Sequence, residues 1–370
     1  MLKDFEPGLD RLPDVSRQAA AEYSEQAETL VEHVNKAFKK REDVAELIGN
    51  NPQKSMFDNH ENHAAFMANI FKLNNYKLLI RTVGWVYRTY HNHGFSYDYF
   101  LAELQSWQEA VERYLAPENA KEIKKIYSFM IEHHQDFIEL AEEERENYGF
   151  DVPEKWEQTS SQFLKALLAG NHRKALDISR EKVNSREDVE GFFEGVIRPS
   201  MYRVGGKWEE GEISVAEEHL ASSIVSRVLS TIYTQFMSFE KTKGKAIITA
   251  TANEFHEIGS RIIADSLELD GWDVDHLGVD TPVPDLVDLL RDKRPFMLGL
   301  SLAIPFNLDN LIGTVESIRA ESELRDMKIL VGGKAFNDNP ELLEKTGADE
   351  MSQDCQQAVE AARDWWRRRN

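Results

Sequence analysis

The chain has 370 residues, 41% hydrophobic and 29% charged, the balance of an ordinary soluble globular protein with room for two or three domains. A formal charge of −21 argues against a sequence-independent grip on phosphate backbones, so no direct nucleic-acid partner is expected. No segment approaches the roughly 20 apolar residues of a membrane span, the N-terminus M-L-K-D-F-E lacks an apolar signal region, and a lone Cys355 rules out an internal disulfide framework. These features predict a cytoplasmic chain with no membrane contact.

From about Val15 to Glu146 the apolar spacing is helical, with Leu30, Val34 and Phe38 on one stripe and Phe66, Ile70 and Leu73 on another. A third set runs through Leu78, Leu79, Val83, Val86 and Tyr90. Breaks are expected at Asn74-Asn75, His93-Gly94 and Pro117, with Ser96 as a helix N-cap. This predicts an N-terminal bundle of four or five helices over 1–153, closed by the acidic run at 142–153 with Gly149 and Pro153 as punctuation. A long helix near Ser16 to Ile48 is the expected dimer surface.

A second helical module over 154–240 carries Phe163, Leu167, Leu168, Ala175 and Ile178, then Phe192, Val196 and Ile197. Its last helix holds Leu220, Ile224, Val228, Ile232 and Phe236, and four helices fit, with turns at Asn171 and Asn184-Ser185. The stretch E-K-T-K-G-K, 240–245, reads as a linker.

Over 241–370 apolar strands alternate with helices. Strands are expected at 246–250, 273–277, 296–302, 328–333 and, more weakly, 348–351; helices should start near Gly259, Pro284, Leu308, Asn339 and Gln353. Continuous apolar strands separated by helices imply a parallel, doubly wound sheet covered on both faces. Such sheets bind ligands beyond the carboxyl ends of their strands, where Glu254 to His256, Ser301 and Gly332-Gly333 all fall.

The loop after the first strand reads N-E-F-H-E-I-G, residues 253–259. A carboxylate two residues before a histidine can hold the imidazole in one tautomer and orientation, as a metal ligand needs, and the glycine lets backbone approach something bulky. Residues 260–300 separate Gly259 from Ser301, and 302–331 separate Ser301 from Gly332-Gly333. This succession resembles the base-off cobalamin-binding signature of methionine synthase, corrinoid mutases and CarH-type photoreceptors. The resemblance implies a flavodoxin-like, Rossmann-like cobalamin domain. His256 would coordinate cobalt from below, Glu254 and Ser301 would support the imidazole, and Gly259, Gly332 and Gly333 would leave room for the displaced nucleotide tail. The chain reads S-L-A at 301–303 where the family often has Ser-x-Leu.

In the second module, nine residues separate Trp208 from Glu218-His219. This resembles the Trp-x9-Glu-His motif of the CarH-type light sensors, whose four-helix cap covers the upper face of adenosylcobalamin. The resemblance implies that Trp208 packs over the adenosyl group and that Glu218 and His219 hydrogen-bond it. Corrinoid methyl carriers share such a cap but generally not this triplet. The best-known light-sensing repressors have a histidine directly after the tryptophan, where this chain has Glu209.

The segments at 59–68 and 84–100 are rich in histidine and aromatic residues, and bundled helices can host large planar cofactors. The layout is similar to the helical N-terminal region of photocobilin-type receptors, which implies biliverdin as a second chromophore. It would be held non-covalently, since Cys355 lies in the last helix. His60 and His63, spaced i, i+3, lack a third ligand for a metal site. The expected function is cobalamin-dependent light sensing; the alternative is a corrinoid methyl carrier. No substrate barrel and no helix-turn-helix precede the cap, so a separate output protein or a change of oligomeric state is expected to carry the signal.

Overall fold

The computed structural model describes residue 9 and residues 12–143, 152–236 and 240–369. Gly149 and most of the acidic run at 142–153 lie outside the described residues. The chain divides into two compact units: residues 1–145 with 209–211, and the remainder.

The first unit is helical: α1 (Arg17–Glu25), α2 (Ala27–Lys39), α3 (Val44–Ile48), α4 (Gln53–Leu73), α5 (Tyr76–Asn92), α6 (Tyr97–Tyr114), α7 (Pro117–Glu132) and α8 (His134–Glu142). Local chemistry sets the boundaries. The Ser16 and Ser96 hydroxyls accept from Ala19 N and Asp98 N, Asn75 Oδ1 accepts from Leu78 N, Asn74 adopts the left-handed conformation, and Pro117 opens α7. The expected helix from Ser16 to Ile48 is instead three helices, interrupted at Gln26 and at the turn where Arg41 pairs with Asp43. Leu30, Val34 and Phe38 are fully buried within the unit, so that stripe packs internally.

The second unit begins with α9 (Glu154–Leu168), α10 (His172–Lys182) and α11 (Arg186–Phe192). A π-helical turn at Phe193–Ile197 joins α11 to α12 (Arg198–Glu209), and α13 (Val215–Phe236) completes four helical runs. The π-turn has a covalent cause: Pro199 has no N–H to give to the carbonyl one turn back, and its ring crowds that carbonyl. Gly195 sits in this turn against the Trp156 ring, where a Cβ would lie 2.2–2.9 Å from indole atoms.

The five-stranded sheet follows: β1 (Lys245–Ala250), β2 (Asp273–Gly278), β3 (Met297–Ser301), β4 (Lys328–Gly332) and β5 (Glu350–Ser352), all parallel, in the order β2-β1-β3-β4-β5. This is the flavodoxin-like order with its switch point between β1 and β3. The crossovers contain α14 (Glu257–Leu269), α15 (Val283–Lys293), α16 (Leu308–Ala320), α17 (Lys334–Asp338) and α18 (Leu343–Thr346); α19 (Cys355–Arg369) ends the chain. Where a helix was expected to start near Asn339, α17 ends at Asp338 and Asn339-Pro340 is followed by a 3-10 turn at Pro340–Leu342 and the short α18. The stretch 240–245 is more than a linker. Thr242 N and Lys243 N donate to Gly271 O, and Lys241 and Lys243 pair with Glu268 and Asp270, which straps it to the end of α14.

One core spans the four-helix module and the sheet domain. Phe163, Phe192, Val196, Val225 and Val228 share a buried cluster with Ile262 of α14 and Cys355 of α19. Gly195→Ala should overpack the Trp156 contact at the π-turn. We expect a loss of about 1–3 kcal/mol in urea denaturation, with far-UV circular dichroism retained.

Candidate cofactor site

Glu254 and His256 lie beyond the carboxyl end of β1, and Ser301 ends β3, directly paired with Ala250 on one side and Gly332 on the other. The predicted residues of three strand ends therefore converge at the switch point, where adjacent crossovers leave on opposite faces and open a crevice.

The 251–256 loop is pinned from both sides. Asn253 has a positive φ of 62°, its N–H donates to Asp280 Oδ1 (2.8 Å), and Asp280 N donates to Glu254 O (3.1 Å). Asn307 and Asn310 donate to the Asn253 and Ala252 carbonyls at 2.8 and 3.0 Å. Sequence reasoning did not single out Asp280, Asn307 or Asn310. Their signal was present only as residue type, since Asn and Asp favour turns and left-handed backbone.

Glu254 is fully buried. Its Oε2 accepts from Ala303 N (2.8 Å) and Ile304 N (3.1 Å), and its Oε1 accepts from His256 N (3.1 Å) and from His256 Nδ1. Burial alone would raise its pKa, but the His256 bond and charge and the two loop N–H groups outweigh it, so the carboxyl sits below its ordinary range. For His256 burial works against the cation, yet the Glu254 hydrogen bond and charge, with a contribution from Glu218, raise its pKa above the usual value. A carboxylate can only accept, so Nδ1 carries the proton and Nε2 is the outward lone-pair nitrogen of the neutral ring. The imidazole is 59% exposed. A half-exposed imidazole fixed from behind by a buried carboxylate is the donor arrangement of a metal ligand with its supporting partner.

Ser301 makes no hydrogen bond to Glu254 or His256 among the described residues; the backbone N–H groups just beyond it do that work. Gly259, in the first turn of α14, faces open space, with no atom within 4 Å of a built Cβ. Gly332 and Gly333 are crowded by the chain itself. A Cβ on Gly333, whose φ is 106°, would lie 2.4 Å from Leu302 O, and one on Gly332 would lie 2.9 Å from Ser352 O.

The second module contributes the start of α13. Glu218 accepts from Ser222 Oγ (2.8 Å) and has His219 Nε2 at 3.6 Å, with the His219 side chain well exposed. Trp208 lies in the last turn of α12, half-buried, its indole nitrogen shielded from solvent. Val215, Leu220 and Phe255 are exposed, three of the four large apolar side chains so exposed among the described residues. They flank Glu218 and His256 in sequence.

The histidine-rich segments of the first unit form a buried polar network. His63 Nε2 meets Tyr127 OH (3.2 Å), Tyr127 OH meets Tyr23 OH (2.9 Å), and Glu103 accepts from Trp107 Nε1 (3.2 Å) and Asn59 Nδ2 (3.2 Å). Burial pushes Glu103 up to about 8 and His60 and His63 down to about 3. The 3.8 Å approach of His63 to Glu103 is therefore a contact of neutral groups at pH 7. No set of three metal-ligating side chains occurs among the described residues, and no described helix is long and apolar enough to cross a membrane.

The pair at 254 and 256 has a pH signature. Glu254, depressed from 4.5, contributes stability above that value and loses it as pH falls through its folded pKa. His256, raised from 6.5, contributes below that value and loses it as pH rises through its folded pKa. The contribution is therefore largest between pH 4.5 and 6.5. Glu254→Gln turns an amide NH2 toward the Ala303 and Ile304 N–H groups or toward the imidazole. It should cost about 2–4 kcal/mol at about pH 5.5, and the deficit should narrow by about pH 8.5, as read by urea denaturation at both values.

Residues 244–363 match a family model described as a B12 binding domain, and residues 160–233 match a second model with the same description. Dimethylamine corrinoid protein 3 of Methanosarcina acetivorans is 22% identical over 200 residues, 54% of this chain and 92% of that protein. The HTH-type transcriptional repressor CarH of Myxococcus xanthus is 26% identical over 193 residues, 52% of this chain and 62% of the repressor. The structure of a monomethylamine corrinoid protein from Methanosarcina barkeri aligns with a TM-score of 0.49 at 21% identity, covering 56% of this chain and 97% of that one. The second compact unit thus carries a pair of B12 binding domains, and cobalamin is the ligand of this chain.

Proposed function

We propose that the chain is an adenosylcobalamin-dependent light sensor. The observation that carries this reading is Glu218: it follows Trp208 at the light-sensor spacing, and its charge reaches His256. In this reading 1–153 is a sensory or dimerisation bundle, 154–240 the cap and 241–370 the cobalamin-binding domain. His256 Nε2 would hold the cobalt, with Glu254 fixing its tautomer and raising its basicity. Gly259, facing open space, borders the room for the nucleotide tail, with Ser301, Gly332 and Gly333 shaping the neighbouring strand ends. Trp208, Glu218 and His219 contact the upper adenosyl group, and exposed Val215, Leu220 and Phe255 are covered when the cofactor is in place.

Adenosylcobalamin supplies a cobalt–carbon bond that visible light breaks. The chain's part is to bind it between two modules that share one core, so that loss of the upper group alters the packing that holds the cap. Glu209 after Trp208 offers no imidazole there, so His219 would be the nearby side chain of the motif able to serve as a second nitrogen donor. Output passes to a separate protein or through a change of oligomeric state such as dimer formation. Biliverdin beside the N-terminal bundle, as a second chromophore, extends the same reading.

The second reading is a corrinoid methyl carrier of a methyltransferase system. It is favoured by the match to nearly the whole length of a dimethylamine corrinoid protein. The two readings part on one experiment. Purified protein is loaded in the dark with adenosyl- or methylcobalamin and followed by absorption and sedimentation before and after green or red light. The light-sensor reading expects preference for the adenosyl form, a spectral change on illumination and an altered sedimentation coefficient. Equal uptake of both forms with sedimentation unaltered by light sinks it in favour of the carrier. In either case His256→Ala should weaken corrinoid binding, and Glu254→Gln should do so by about 10–100-fold; unaltered binding by the alanine variant removes the assignment of the axial ligand.

A further inference from the structure

Asp265 lies on α14, one turn beyond Arg261, and is 5% exposed. Its Oδ2 is shut off from solvent without a hydrogen-bond partner, and no hydrogen bond reaches its carboxyl group among the described residues. Arg261, the cation spaced to pair with it at i, i+4, points elsewhere. Its guanidinium donates to Ser226 O (3.4 Å) and Ser230 Oγ (2.9 Å) of α13, the long helix of the cap. Tyr233, one turn further along α13, feels the Asp265 charge. An unpaired carboxyl group is thus buried beside the arginine that ties the cap helix to the sheet domain.

We propose that Asp265 and Arg261 form a proton-operated latch between α13 and α14. With the carboxyl neutral, Arg261 grips Ser226 and Ser230; with the proton lost to solvent, the carboxylate draws Arg261 back onto its own helix, and α13, still packed on α14 through the shared apolar core and Tyr233, loses that tie and opens locally more often. The two arrangements need only a rotamer change of one long side chain. An ionised, buried carboxylate left unpaired is costly enough to compel it.

The groups around Asp265 leave no other cation to answer it. On its own helix the charges acting on it are Arg261 and Glu268. On α13 Tyr233 faces it. From β2, His276 bonds Ser260, and Lys245 of β1 is held by Asp273 and Asp275. The paired residues of β3, 297–301, include no titratable side chain. On α19, Cys355 is buried and Arg363 is paired with Asp270. Burial pushes Asp265 up to about 7 from the ordinary 3.8, with Arg261 opposing and Glu268 reinforcing the shift. The docked form holds the proton more tightly than the released form, so docking is firmest near pH 4 and weakens as pH rises toward 7.

The latch does not rest on which cobalamin chemistry the chain performs and is read on the cofactor-free protein. Amide hydrogen exchange over residues 222–234, corrected for intrinsic rates, is compared at about pH 5.5 and about pH 8. The wild-type protein should open about tenfold more often at the higher pH. Asp265→Asn, a neutral isostere, should stay protected at both, and Arg261→Gln should exchange fast at both. A pH response that survives in Asp265→Asn, or its absence from the wild type, overturns the proposal. Should the asparagine variant fail to fold, Arg261→Gln decides alone, since a pH response that persists without the arginine equally excludes the latch.

Discussion

The site turns on one buried carboxylate. Glu254 is stable as an anion inside the protein because four hydrogen bonds converge on it: two from the N–H groups at the start of the β3 crossover, two from His256. Those bonds do three things at once. They dock the β1 loop to the β3 loop across the switch point, choose the tautomer of His256, and leave Nε2 as the outward nitrogen. Remove the anion and the loop-to-loop contact and the fixed orientation of Nε2 are lost together, because one group makes both.

The cap is held to this domain by a shared apolar core and a few directed polar contacts. Glu194, in the π-turn, accepts from Cys355 N (2.9 Å) and pairs with Arg198, whose guanidinium also reaches Gln353 O (2.7 Å). The π-turn that Pro199 imposes therefore coincides with the point where the cap meets the start of α19. Along α13 the apolar packing on α14 is supplemented by Tyr233 beside Glu268 and by Arg261, which bonds Ser226 and Ser230 next to an aspartate with no hydrogen-bond partner among the described residues. One end of the cap is anchored and the other is held by a contact that can be exchanged, a distribution suited to opening over a ligand.

Several expectations from sequence meet their structural counterparts, and the failures are informative. The strand positions matched to within a few residues, because continuous apolar runs between helical segments admit little else. The stretch from Ser16 to Ile48 is three helices rather than one. Its breaks at Gln26 and at Arg41 to Asp43 use no proline or glycine, and its apolar stripe turned inward. The N–H groups that hold Glu254, those of Ala303 and Ile304, went unanticipated, because backbone donors carry no sequence signature. The glycine pair at 332–333 was expected to make room for a ligand. Gly333 is required by its own φ and by the approach of Leu302 O.

Residue types and their order were enough to establish a parallel doubly wound sheet, a helical module before it, and an acid-x-His-x-x-Gly loop at a strand end, since hydrophobic period and spacing are local properties. What tertiary structure alone decided is which partners those residues meet: that Glu254 is wholly buried, that residues 303 and 304 reach it, that Asp280, Asn307 and Asn310 pin the loop, and that Asp265 Oδ2 is buried with no hydrogen-bond partner among the described residues. The reason is physical. Burial and hydrogen-bond partnership depend on segments dozens of residues apart arriving at one place, and no one segment records where the others will be.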